Sequence, residues 1–535
     1  MKHSSHEEVT IPPQPDPAVQ ETSFESDADP SSYLEEIPHT PIPDDDERQQ
    51  RHRPNHYGSV SPTALPKPGP RSPARAIAPD ILRGLLMALM ALDHTAMMLN
   101  AWPHGTAVDG ENDSRDVHRW NRTAAYVIRT LTHLCAPGFT FLLGMGVVYF
   151  SRSRTNLSWT SRQMGWHFFV RAVVLTAVSE LLGLVISVGR VWFFNIVLFA
   201  LAVDYFLAGV LWLALARTEK ALAFALLKAL PLRRKDKDDP TEALLQPRDG
   251  IAEDIAPDRT IIRAADISWH AHNVFLAILS AVTIWWNIWL SPTGGHCGVE
   301  PVAKLPDSIF ATIWFYNIFT DRVLSGFPPL AWLSFAVLGL LYGRIILARS
   351  WTARSIRLGN ALAGLVFLLI FVFSRLFHFG NLSEGCLHMA EHAGQGNQYL
   401  ASARSFFYLT KYPPDVAFWA FTMAANHLLL AFFAAIPVKF AERTFHVFLV
   451  YGTSALFFYI LHMFVLLALG RVMVALVGHH VEFPNPFTGK DGMGVDQLWA
   501  FFATWAMCLA ILYPLCRWYG TFKRGKGPDS IWRFF

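Results

Sequence analysis

The stretch RTLTHLCAPGFTFLLGMG, running from Arg129 to Gly146, is apolar enough for a membrane-spanning helix yet holds Arg129, His133 and Pro137. Hydrocarbon penalises the first two side chains, and a helix interior penalises the proline. A span keeps such residues where protein or water, rather than lipid, meets them. Pro137 has no N–H to offer the carbonyl of His133, so the helix is expected to kink or open there. Gly138, Gly144 and Gly146 then allow close approach of another helix or a ligand.

The rest of the chain supports reading this stretch inside a membrane. Of its 535 residues 52% are hydrophobic and only 16% charged, with 18 tryptophans, and its mean hydropathy is positive. A soluble protein of this length carries more charge. The apolar residues fall in blocks close to the length that crosses a bilayer. The expected fold is all-α, a polytopic membrane protein of about ten transmembrane helices. They fall at 80–101, 125–150, 164–187, 192–216, 266–290, 329–348, 358–379, 415–436, 447–475 and 497–517. The apolar pieces 221–232 and 308–320 are too short to cross alone and are expected at the interface.

Residues 1–76 are rich in Pro, Ser and charge, with little apolar periodicity. Such a segment cannot bury enough surface to offset its ordering entropy, and it reads as a disordered cytoplasmic tail. The membrane domain is expected over 77–535, interrupted by a flexible cytoplasmic loop at 217–264. The net charge of +3 is small, and no basic block with interleaved aromatics marks a nucleic-acid partner. The lipid bilayer is the partner that composition implies, and a homo-oligomer is left open. The five cysteines show no CxxC or His/Cys metal spacing, so no metal site is expected.

Lys and Arg orient the chain. One set of loops, with the C-terminal tail, holds Arg152, Arg154 and Arg162, a basic run from Arg217 to Arg263, then Arg349, Arg354, Arg357, Lys439, Arg443 and the residues from Arg517 to Arg533. The alternate loops hold fewer than half as many, which puts both termini in the cytoplasm. Of four N-x-S/T sequons, Asn112, Asn121 and Asn381 fall on the outer side and Asn156 inside. Cys297 and Cys386 fall in two different outer loops, either as a disulfide or as two loop thiols. Cys135, Cys508 and Cys516 read as packing residues in spans.

Ionisable groups inside spans are candidate functional residues by default. Span one carries Asp80 and Arg83 at its inner end and Asp93–His94 toward its outer third; span two carries Arg129 and His133 at similar depth. Arg375 and His378 end span seven, Lys411 and Tyr412 precede span eight, and His462 lies near the middle of span nine. A shared polar cavity opening outward accounts for these groups. Arg83, Arg171 and Arg344 sit at inner span ends, where snorkelling to headgroups is the simpler alternative. His104 and His296 read as solvated loop side chains.

The stretches PDILRGLLMALMALDH, RTLTHLCAPGFTFLLGMG, FPPLAWLSFAVLGLLYGR, SFFYLTKYPPDVAFWAFT and FFYILHMF together resemble the heparan-alpha-glucosaminide N-acetyltransferase catalytic-domain family, most closely its uncharacterised microbial branch. They occur in the family's order across most of 77–535. The resemblance implies a membrane acyltransferase that uses cytosolic acetyl-CoA and acylates a hydroxyl or amine, often of a sugar, across the bilayer. The lysosomal member's essential histidine lies in a His-Ala-Ser-Trp-Asn context. Its nearest counterpart is HRWN, His118 to Asn121, with one residue fewer between His and Trp. The microbial branch instead points to Asp93–His94 and Thr132–Pro137.

On this reading His133, His94, Asp93 and His118 are the catalytic candidates, since histidine titrates in the range needed to deprotonate a hydroxyl or amine. Asp93 is the carboxylate placed to set a histidine tautomer. Arg129, Lys411, Tyr412, His462 and Arg375 are candidates for a small-molecule or glycan acceptor. Arg83, Arg171 and Arg344 are candidates for the CoA phosphates. The alternative is a multi-pass transporter whose buried His and Arg bind solute or relay protons.

Overall fold

The computed structural model of the protein describes residues 77–187, 189–229, 259–304, 308–320, 322–484, 491–527, 530 and 532. The expected tail at 1–76, and the centre of the expected loop at 217–264, lie outside the described residues. Among the described residues ten helical segments are long and apolar enough to cross a membrane. The chain is an all-α, multi-pass integral membrane protein.

The first span is helix α1 (Ile77–Met98). The second is broken into α2 (Thr123–Thr132) and α3 (Cys135–Asn156), with the interruption at His133 and Leu134. Pro137 lies in the first turn of α3, where its missing N–H costs no helical bond. The expected opening of this helix is therefore present, displaced to the turn before the proline. The Asn426 side chain donates to the Leu134 carbonyl at 3.4 Å, giving the broken turn a polar partner.

Helix α4 (Ser161–Ile186) opens on a capping box of Thr160 and Gln163. Helix α5 (Val197–Ala229) runs well past residue 216 and absorbs most of the apolar piece expected at the interface. Helix α6 spans Arg259–Leu290, so the ends of the expected 217–264 loop are helical. The piece at 308–320 forms the short α7 (Ile309–Phe315) and a strand. Helices α8 (Pro329–Ala348), α9 (Ala353–Phe377), the one-turn α10 (Ala403–Phe406) and α11 (Val416–Ala435) follow. After the short α12 (Val438–Thr444), the ninth span is also broken, into α13 (His446–Thr453) and α14 (Ala455–Val477), and α15 (Leu498–Arg524) completes the set.

Helix α1 packs against α3, α11, α13, α14 and α15. Helix α3 lies along α8 and α5, α6 along α8, α9 along α11, and α4 along α5. A Cβ on Gly144 would collide with the Ala336 carbonyl, and one on Gly339 with the Phe141 carbonyl. This pair lets α3 and α8 approach backbone to backbone, the usual source of cohesion where lipid removes the hydrophobic drive. Gly146, in contrast, faces open space.

One end of the bundle carries a cap built from loops 99–122, 291–304 and 378–415. Bridges join Asn112 to Tyr412, Val117 to Leu387 and His296 to Glu384, and a disulfide joins Cys297 to Cys386. Strands β1 (Phe193–Asn195), β2 (Ile318–Phe319) and β3 (Val323–Ser325) form a small sheet in the order β1-β3-β2, with β1 parallel and β2 antiparallel to β3. A separate hairpin pairs β4 (His479–Pro484) with β5 (Asp491–Gly494). Asn121 and Asn381 are buried, with their amide nitrogens donating to Pro103 and Gly105 carbonyls and to Ser374 and Glu384 oxygens. In the folded protein neither is open to glycosylation, so those two sequons carry no information about sidedness.

Candidate functional site

The interruption between α2 and α3 sets Arg129 one turn before the broken segment, 2% exposed. A guanidinium removed from water needs every donor engaged, and here all five N–H groups are. Its Nε and Nη2 donate to Glu111 Oε2 at 3.0 and 2.9 Å, while Nη1 donates to both Asp93 oxygens at 3.1 and 3.0 Å. Nη1 also donates to His104 Nε2 at 2.8 Å, and Nη2 to the Tyr412 hydroxyl at 3.2 Å. Because arginine has no lone pair, His104 Nε2 must be the acceptor, which fixes that ring as neutral.

Glu111 descends from the cap into this cluster. Its Oε1 accepts from the Thr106 N–H at 2.8 Å, the Thr106 hydroxyl at 3.0 Å and His133 Nε2 at 3.1 Å. Burial opposes its ionisation, but Arg129 and His133 outweigh that and hold the carboxyl well below the usual range. Burial, reinforced by Arg129, pulls His104 down to about 3, although roughly a quarter of its side chain reaches open space. The Thr132 hydroxyl adds a 3.1 Å hydrogen bond to Asp93.

A second arrangement lies one residue along α1. His462 Nδ1 donates to the Phe458 carbonyl one turn earlier at 3.2 Å, so in the neutral ring its Nε2 carries a lone pair. That nitrogen lies 2.7 Å from His94 Nδ1, which must therefore be the N–H donor. The remaining nitrogen, His94 Nε2, is left as a base. The tautomer of His94 is set by His462, whereas Asp93 is committed to Arg129 and Thr132.

Two cavities meet inside the bundle. The first, of about 310 Å³, has Asp93, His94, His104, Glu111, Lys411 and Tyr412 at its polar end. The Lys411 ammonium sits 5.5 and 5.3 Å from the Phe327 and Tyr412 ring centres. The second, of about 300 Å³, lies toward the opposite end of α1 and contains Arg83, Arg171 and Lys523. Arg83 bonds to Asp80 at 2.9 Å and to the Gly452 carbonyl at 3.3 Å, a carbonyl beside the break between α13 and α14. Phe139, Val197 and Tyr459 line both cavities and form the septum between them.

The structure thus places Asp93, His94, Lys411 and Tyr412 in the wall of one cavity, with Arg129 and His462 bonded to that wall from behind, and Arg83 and Arg171 in the wall of the other. His133 does not line the first cavity: fully buried against Phe418, it stands behind Glu111 with its Nδ1 unpartnered. His118 is exposed in the cap near Asp109 and His388, remote from the buried cluster's hydrogen bonds. Arg375 is held by Asn381 and the Tyr408 carbonyl and stacks over Tyr399 within the cap. His378 pairs with Glu384 at 2.9 Å. Arg344 is held by Glu219 at 2.7 Å and Asn273 at 2.8 Å among α5, α6 and α8, outside both cavities.

Sequence reasoning missed Glu111, Lys523 and Tyr459, and it read His104 as solvated. Arg129 offered one signal, since Asp93 alone cannot occupy the five donors of a buried guanidinium. Loop 99–122 also holds Asp109, Asp113 and Asp116, and nothing local singles out Glu111 among them. No protein-family model matches this sequence, and no curated protein matches it either.

Proposed function

We propose that this protein is a membrane acyltransferase that moves an acyl group from a CoA thioester, acetyl-CoA in the simplest case, to an acceptor in the cap-side cavity. The pairing of the two cavities carries this reading: one gathers cations, the other holds a histidine base, and Phe139, Val197 and Tyr459 line both. The CoA phosphates suit Arg83, Arg171 and Lys523. Arg83 and His94 are about 16 Å apart along α1, a span that an extended pantetheine arm covers. The loop charge asymmetry supports a cytoplasmic location for the basic end, where CoA is found.

In this scheme the acceptor's hydroxyl or amine loses its proton to His94 Nε2, and His462 holds the ring in the tautomer that can accept it. The Lys411 ammonium stabilises the oxyanion formed at the thioester carbonyl. Arg129, Asp93 and Glu111 position the wall, and His133 supports Glu111. The test is acetyl-CoA consumption by purified protein in vesicles. His94→Ala is expected to abolish turnover and His133→Ala to reduce it, with both proteins folded. Normal turnover in His94→Ala overturns the assignment of the base.

The same paired cavities also favour a second reading, a carrier whose substrate passes the septum. That reading requires solute flux in vesicles with neither CoA binding nor acetyl-CoA consumption.

A further inference from the structure

Most polar side chains of the cap-side cavity gather toward the cap, with Tyr459 the exception at the septum. Elsewhere its wall is hydrocarbon and thioether: Met97 and Met98 from α1, Ile186 from α4, Phe319 and Leu324 from the small sheet, and Met463 from α14. A pocket for a free sugar needs hydrogen-bonding groups distributed around the ligand, because each unmatched hydroxyl loses its water partners. Away from the cap this wall offers only the Tyr459 hydroxyl and the Cys135 thiol.

The apolar wall also reaches the outside of the molecule. Phe319 lines the cavity and is 60% exposed, and Met97, Met98, Ile186 and Leu324 are half-buried. His94 lies four residues before the end of α1, about 6 Å below it along the axis.

We propose that the acceptor is an amphiphile drawn from the bilayer, with a hydroxyl on a hydrocarbon body, whose body lies along Met97, Met98, Ile186 and Leu324 and whose hydroxyl reaches His94. The inference rests on the acyl-transfer reading. The hydroxyl oxygen attacks the thioester carbonyl carbon, and its proton passes to His94 Nε2. The carbon–oxygen bond forms, the carbon–sulfur bond breaks, and the thiolate takes the proton from His94. The products are a lipid ester and free CoA thiol.

The experiment uses the full chain in phospholipid vesicles doped with a hexadecanol analogue carrying a diazirine on its chain, in parallel with water-soluble glucosamine, and with labelled acetyl-CoA. The expected result is photoadducts on the Met97–Met98, Ile186 and Phe319 peptides, with label extracted as a long-chain ester. Adduct yield is expected to fall about tenfold in Leu324→Trp, which fills the cavity, and in the milder Phe319→Ser. Adducts confined to lipid-facing residues such as Val472 and Leu476, with label moving to glucosamine, overturn the amphiphile and leave acyl transfer standing. Cavity adducts with no CoA binding and no acetyl-CoA consumption by either acceptor overturn the acyl-transfer reading and this acceptor role with it.

Discussion

His94 Nδ1 lies 2.7 Å from His462 Nε2, and between neutral rings the bond runs from His94 to His462 because His462 Nδ1 is already bonded to the Phe458 carbonyl. Two histidines on different helices thereby produce a single unpaired base. Replacing His462 by Phe removes the acceptor and frees His94 to adopt the other tautomer. Turnover is expected to fall by about 10²–10⁴, the range of a lost or misoriented general base. His462→Gln is expected to recover part of that loss, since its carbonyl oxygen can accept from His94 Nδ1. Acyl-transfer rates in vesicles, with melting temperature as the folding control, check this. Equal rates for the Phe and Gln variants would remove the tautomer argument.

Arg129 and Glu111 make a different kind of prediction, about stability. Both are nearly fully buried; removing Glu111 leaves Arg129 with Asp93 as its remaining carboxylate, and removing Arg129 leaves Glu111 with His133 and Thr106. Arg129→Met or Glu111→Gln alone is expected to cost about 3–5 kcal/mol, as for other broken buried ion pairs. The double variant is expected to cost clearly less than the sum. Denaturation of the four proteins in one detergent closes the cycle, and strict additivity would show that the pair is not coupled.

His104 gives the cluster a pH dependence. Its ordinary value of 6.5 is lowered to about 3 in the fold by burial and by Arg129. The unfolded chain therefore takes up a proton before the folded one does. Stability from this residue is present above pH 6.5 and is lost as pH falls toward its folded value. Melting temperature is expected to decline through that window and to decline less in His104→Gln, which keeps an acceptor without the titration. An unchanged slope in that variant counts against the assignment.

The spans were legible because length and hydropathy alone define them, and the polar residues within them stood out against lipid-compatible neighbours. Pro137 announced the break in the second span. The interruption at Ser454 had a weaker signal, the small run Gly452-Thr453-Ser454, which membrane helices tolerate without breaking. The cap was opaque for a physical reason: its loops have no periodicity, and their bridges pair residues hundreds of positions apart, as in Asn112 with Tyr412. The sequence put His133, beside the proline break, ahead of His94, at matching depth on the neighbouring span. Packing separates them, one behind Glu111 and one in the cavity wall.

Arg344 and Lys523 reverse the ranking that the sequence suggested for the CoA site. Arg344 is committed to Glu219 and Asn273, so Arg344→Gln is expected to lower the melting temperature while leaving CoA affinity within about twofold. Lys523 lines the basic cavity beside Arg83 and Arg171. Lys523→Gln, Arg83→Gln and Arg171→Gln are each expected to weaken CoA binding by about tenfold, the order of one charge-assisted contact. The loss should shrink as salt rises, because a partly open cation site is screened. Titration calorimetry of CoA against the purified full chain measures both quantities. The donor site is misplaced if Arg344→Gln abolishes binding while Lys523→Gln and Arg171→Gln leave it intact.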